Sequence, residues 1–284
     1  MSTPPPSGAD RPGSGWNPEP WPGSANSGRA RVPQAAPLSD PLVPPDLRGW
    51  FERVIGVVRR SMIPLLIIQL GVAVISAVVS FALSPALAAD PDPSGFDSML
   101  LLLGVMIAVA VGVVAQGASV YVAIRDAAGH QPTAEETMRF AAARAPALIG
   151  WGLAAFLLIV FGFLMLIAPG LYLALVFGAA LAGVVTVERA GIPRCFELVN
   201  ARFWPTLARM VLAVAVGLCY TLIAGFVVGA LSTPDSFNEA LLRALAEVPL
   251  GMATVGVAVV TYAELRFYER GDVFTSTLAA ELVR

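Results

Sequence analysis

Six stretches of this chain are almost purely apolar, spanning about residues 62–83, 99–124, 147–168, 171–187, 210–231 and 248–265. A helix of about 20 such residues crosses ~30 Å of hydrocarbon, so the pattern predicts six membrane-spanning helices. Pro169-Gly170 divides what is otherwise one apolar stretch, far too long for a single crossing, and is read as the turn of a tight helical hairpin. Small residues at 84–89 look like a signal peptidase site. A signal's apolar core is only ~7–15 residues, however, and the run before them is longer and begins far into the chain.

A second pattern precedes the hairpins. Trp50, Phe51, Val54, Ile55 and Val58 share one side of a segment that ends at Arg60, with Pro64 just beyond. Ala134 to Ala143 leads to Arg144 and Pro146, and Phe196, Val199 and Phe203 lead through Arg202 to Pro205. A repeat is expected: an interfacial helix with its apolar side in the acyl boundary, then a proline at which the chain turns into the membrane. Upstream of residue 47 the pattern is lost. Residues 1–46 are dense in Pro, Gly and Ser and too poor in aliphatics to offset chain entropy, so they read as a disordered tether, or alternatively as a Pro-rich ligand. The expected organisation is a tail over 1–46 and an all-α membrane domain over 47–284, a polytopic helical bundle of six transmembrane helices in three outward hairpins.

Composition agrees: 57% of residues are hydrophobic, 13% are charged, and the mean hydropathy is +0.74, against roughly 25% charged residues in a soluble domain. The formal net charge of -2 leaves no basic surplus for nucleic acid. All 18 basic residues are Arg, which together with the heavy use of Ala, Gly, Pro and Val points to a GC-rich bacterium and hence to its plasma membrane. The arginines also orient the bundle. Arg48, Arg53, Arg59 and Arg60 precede the first span, Arg125, Arg139 and Arg144 lie between the second and third, Arg189, Arg194, Arg202 and Arg209 between the fourth and fifth, and Arg266 and Arg270 close the sixth. The intervening loops, the last of them over 232–247, carry Arg243 alone. By the positive-inside rule the hairpins point outward and both chain ends are cytoplasmic.

The chemistry on offer is sparse. His130 is the single histidine and sits in a polar loop, and Cys195 and Cys219 are too differently placed to pair. No ionisable residue is expected at mid-membrane, where one would mark an ion path. Gln69, Gln116, Ser119, Thr221 and Thr254 are read as hydrogen-bonding between helices, and the four-residue spacings Gly104/Ala108/Gly112, Gly178/Ala182 and Gly225/Gly229 as close-approach faces of a compact bundle or a homo-oligomer. Asp90, Asp92, Asp97, Asp235, Glu239 and Glu247 read as solvated loop acids. No nucleophile elbow, phosphate-cradling loop or metal-ligand spacing is found, so no catalytic, cofactor-binding or metal residue is assigned.

The densest polar grouping falls at the arginine-rich end: Glu188, Arg189, Arg202, Glu264, Arg266, Glu269 and Arg270, with Arg194 and Glu197 beside them. Helix termination and positive-inside charge explain most of it, while the near balance of signs allows ion pairs or contact with a partner.

Two segments carry a family likeness. Pro169-Gly170-Leu171-Tyr172-Leu173 with Val187-Glu188-Arg189 and the run 198–204, and then Tyr262 to Gly271 with 278–282, resemble the membrane domain associated with glycerophosphoryl diester phosphodiesterases. The resemblance covers 47–284 and implies a six-helix domain of the kind found in many actinobacterial membrane proteins. Members often have a basic residue shortly after the Pro-Gly turn, where this chain has Leu175, Val176 and Phe177, and the segment before Arg202 is about one helical turn shorter. Members named for catalysis carry a separate soluble phosphodiesterase domain, so no activity carries over. The expected role is therefore a non-enzymatic scaffold or accessory to another membrane or envelope protein or to lipid-handling proteins. The alternative is a transporter or flippase for a lipid or small apolar solute, passing Gln69 and Gln116, and a membrane-embedded hydrolase comes third.

Overall fold

The structure, a computed structural model, describes residues 39–88, 95–233 and 236–283. The expected tail up to residue 38 and the loop acids Asp90, Asp92 and Asp235 lie outside these residues. All regular structure among the described residues is helical: α1 (Leu47–Arg60), α2 (Met62–Ala88), α3 (Gly95–Ala127), α4 (Ala134–Met165), α5 (Ile167–Gly183), α6 (Ile192–Ala201), α7 (Phe203–Leu231), α8 (Phe237–Arg270) and α9 (Thr275–Val283). Six of these, α2 to α5, α7 and α8, are long and apolar enough to span a membrane. The chain is an integral membrane protein with an all-α polytopic bundle of three antiparallel hairpins, α2–α3, α4–α5 and α7–α8. Every arginine-rich connection falls at one end of the bundle.

The three expected interfacial helices become three different things. α1 forms behind Asp46, whose carboxylate accepts from the Gly49 N–H at 2.6 Å. It buries Trp50, Val54 and Val57, one helical face. That face meets α8 rather than lipid: the Trp50 indole N–H donates to Thr261 Oγ1 at 3.1 Å. The Val54 carbonyl lies so close to Gly256 that an added Cβ there would sit 2.9 Å from it. The second is not separate at all. The Thr133 capping box starts α4, and the helix runs unbroken through Pro146. α6 is short, amphipathic and divided from α7 at Arg202, but its apolar face, Cys195, Leu198 and Val199, is likewise buried against protein and not in lipid.

The α4–α5 turn is tighter than expected and sits before Pro169. Leu166 alone is extended, at φ -162° and ψ 152°. Pro169 then falls in the first turn of α5, where a missing N–H leaves no bond unmade. Gly162 and Gly170 let the two helices touch, since a Cβ on Gly162 would lie 3.0 Å from the Gly170 Cα.

The sixth span is longer than the apolar run that announces it. Residues 237–247 read as loop by their polarity, yet Ser236 caps Glu239 N–H at 3.1 Å and Glu239 pairs with Arg243 one turn on at 3.0 Å. The helix therefore begins at Phe237 and takes in Glu239 and Glu247. Asp97, another expected loop acid, likewise belongs to a helix, the first turn of α3.

The membrane domain also reaches further toward the N-terminus than residue 47. Leu42 and Val43 are fully buried, and Asp40 accepts from the Thr275 N–H at 3.1 Å and the Thr275 hydroxyl at 2.7 Å. The stretch of chain before α1 is thereby fastened to α9, whose Leu278 and Leu282 return to the core.

Candidate functional site

Two places concentrate chemistry, and the first is the arginine-rich end. At the end of α5 the helix widens into a π turn over Val184–Glu188 and stops at Arg189, whose φ of 55° reverses the chain. This aims Glu188 inward, where its carboxylate receives the Tyr262 hydroxyl at 3.0 Å and Arg194 Nε at 2.7 Å. Arg194 reaches on with both terminal nitrogens to Glu269, at 2.7 and 2.6 Å, and to Glu197 at 3.1 Å. These bonds, those to Glu269 foremost, raise the guanidinium pKa above its already high value. Arg266, 1% exposed, binds Glu281 of α9 through Nη2 at 3.0 and 2.8 Å. Its Nη1 lies 3.2 Å from Glu188, a charge pair by distance without hydrogen-bond alignment. The thiol of Cys195, on α6 beside this group, is pushed up to about 12 by burial and then by the Glu188 charge.

A second ion group lies on the α7 side. Arg209 Nη1 donates to Glu264 Oε1 at 2.5 Å, Arg202 approaches the same oxygen at 3.5 Å, and its guanidinium covers the Tyr268 ring. Glu264 is 1% exposed, and its other oxygen has no hydrogen-bond partner among the described residues.

Of the seven residues expected to cluster, Glu188, Arg266 and Glu269 join the first group, and Arg202 and Glu264 the second. Arg270 adds its positive charge beside Glu269. Arg189 is exposed and joins neither group. The expected balance of signs becomes internal pairing, with the charges turned into the fold. Sequence reasoning missed Arg209, counted only as positive-inside charge, as well as Tyr262 and Glu281. The spacing Tyr262/Arg266/Glu269 on one face of α8 was the available signal.

The second place lies within the bundle. A cavity of about 760 Å³ is bounded by Trp50 and Ile55 of α1, Gln116 of α3, Phe177 of α5, Val214 of α7 and Val257 of α8. Its wall is apolar apart from Gln116, Thr254 and Tyr220, whose hydroxyl is already committed to the Ala246 carbonyl at 2.6 Å. Gly178 and Ala182, expected to bring helices together, line this space instead, and a Cβ on Gly178 would touch nothing. Gly112, Gly225 and Gly229 are equally open, so of the expected glycine stripes only Gly104 meets a neighbour, the Leu83 side chain. Helices approach closely elsewhere, at Gly183 against Tyr262 and Gly152 against Val113.

The expected interhelical hydrogen bonds are also absent among the described residues. Thr221 and Thr254 donate to their own helices, at Gly217 and Gly251, and the buried Ser119 hydroxyl has no partner. No family model, no curated protein and no solved structure matches the chain.

Proposed function

We propose that this is a non-enzymatic lipid-handling protein of the bacterial plasma membrane, with both ends cytoplasmic, which takes an apolar chain into the cavity between α1, α5, α7 and α8. The cavity carries this reading. Its volume of about 760 Å³ falls among small-molecule sites, roughly 300–1,000 Å³. In a bilayer the solvent at hand for such a wall is the acyl chain of a lipid. The span α7 is thinly covered by protein, with Leu218, Leu222 and Phe226 exposed along its length, so lipid lies against the helix that forms one wall. The likeness to a six-helix membrane domain fits this role as an accessory or carrier of lipids.

The scaffold reading through the charged end has less support. Glu188, Arg266 and Glu264 are committed to partners within the chain, and a docking protein would have to break those pairs. The test is capture of a photoactivatable alkyl-chain phospholipid by the protein in nanodiscs, with the labelled peptides mapped by mass spectrometry. Adducts are expected on α1, α5 and α7 cavity residues and are lost in Gly178→Phe, which fills the open space. Labelling spread evenly over the outer faces, unchanged by Gly178→Phe, overturns the proposal.

A further inference from the structure

A smaller cavity of about 290 Å³ adjoins the apolar one and shares Leu250 and Thr254 with it. Its polar wall is Gln69 and Ser76 of α2, Thr221 of α7, and Glu247 and Thr254 of α8. Gln69 and Ser76 lie inside the apolar span Met62–Leu83, and Thr221 inside the span Phe203–Leu231. At 1.5 Å per residue, Gln69 is about 10 Å from one end of its span and about 20 Å from the other. The Tyr220 hydroxyl, next to Thr221, donates to Ala246 O at 2.6 Å and sets Glu247 at that same depth. Glu247, exposed at this pocket, is therefore held by α8 level with polar groups of two apolar spans, and belongs to a helix and not to the loop that its polar neighbours suggest in sequence.

Such a residue is costly inside a membrane and is retained there for a partner. Among the described residues it has none. Neither the Gln69 amide nor the Ser76 hydroxyl has a hydrogen-bond partner there either. Gly251 permits the arrangement: the Gln69 carboxamide lies where a Cβ would be, 2.6 Å from its Oε1. Thr221 and Thr254 spend their protons on their own helices, so what they offer the pocket is acceptor oxygen. The wall thus sets the acceptor oxygens of Glu247, Thr221, Thr254 and Gln69 beside the Gln69 amide and Ser76 hydroxyl donors, and its one charge is a carboxylate with no basic side chain in the lining.

We infer that this pocket holds the hydrogen-bond-donating head, an ammonium or hydroxyl, of an amphipath whose apolar chain occupies the adjoining cavity. A phosphate or carboxylate head is refused, because it would face Glu247 with no cation to meet it. The inference rests on the proposed function for the chain's position and adds the identity of the head.

The test uses four octadecyl probes with a photoactivatable chain, bearing an amine, an alcohol, a carboxylic acid or no head, offered to the full-length protein in nanodiscs at neutral pH. Amine and alcohol are expected to be captured about tenfold better than acid, the worth of one charge-assisted hydrogen bond. Glu247→Gln should remove most of the amine's advantage, and Gln69→Leu should weaken amine and alcohol together. Both variants should capture the headless probe as the native protein does, which reports an intact cavity. Equal capture of acid and amine, or an amine-to-acid ratio unmoved by Glu247→Gln, overturns the inference and leaves the apolar cavity standing. Capture of every probe undiminished by Gly178→Phe removes the cavity reading itself.

Discussion

The arginine-rich end and the polar pocket between α2, α7 and α8 use the same kinds of side chain in opposite ways. At the end of the bundle each buried charge has found a counter-charge: Arg266 has Glu281 and Glu188, and Arg209 has Glu264. In the pocket Glu247, Gln69 and Ser76 have found nothing among the described residues. Charge pairing holds helices α5, α6, α8 and α9 in one arrangement, whereas pocket polar groups with no counterpart among the described residues leave binding capacity for the lipid head inferred above. On the proposed function, stability and recognition fall to different regions.

Substitution at the charge-paired end should break the comparison most visibly. Arg266→Ala strands Glu281 and takes one of two cations from Glu188, which keeps Arg194, and should cost about 3–5 kcal/mol, the penalty for halving a buried pair. Thermal unfolding in detergent measures it, and an unchanged midpoint would mean that the charges are solvated rather than structural. Arg209→Met should destabilise by a similar order, and adding Glu264→Leu should restore most of the loss, since two apolar side chains replace the pair at little cost. A double variant as weak as the single one would show Glu264 held by more than Arg209.

A smaller effect is expected at Cys195. Its thiol titrates at about 12 when folded against 9.0 for the ordinary group, so above pH 9 the unfolded chain gives up the proton first and gains. Stability contributed here is complete below pH 9 and lost as the pH rises toward 12. In a pH series of unfolding midpoints, native protein should fall faster than Cys195→Ala across that window. At about pH 8 the folded thiol should resist maleimide, which the buried position reinforces. Smallest of all, Gln69→Leu should change the unfolding midpoint little or raise it, because it removes a polar group with no partner. A loss there comparable to Arg266→Ala would place the pocket among the structural pairs and erase the distinction.

Much of the architecture is legible in the order of residues. The apolar runs place six helices correctly, because the length of an uncharged stretch is a local property set against the bilayer thickness. The break near Pro169 is legible too, to within three residues, since proline acts on its own turn. Ends written in polar residues are not. Residues 237–247 look like a loop by polarity but are helical through a serine cap and a Glu239–Arg243 pair. Leu42 and Val43, lost in proline-rich surroundings, are buried by the contact between Asp40 and Thr275, 235 residues apart.

The sequence by itself settled the solvent, the number of crossings and the clustering of arginine at one end, because each depends on composition within a window of about twenty residues. Tertiary structure alone decided which way the helices turn. Rotation and register of α2, α7 and α8 about one another put Glu247 beside Gln69 and Arg209 against Glu264. Those choices come from packing around glycines such as Gly251 and Gly256, where a missing Cβ admits a neighbour, and no local pattern encodes which neighbour it will be.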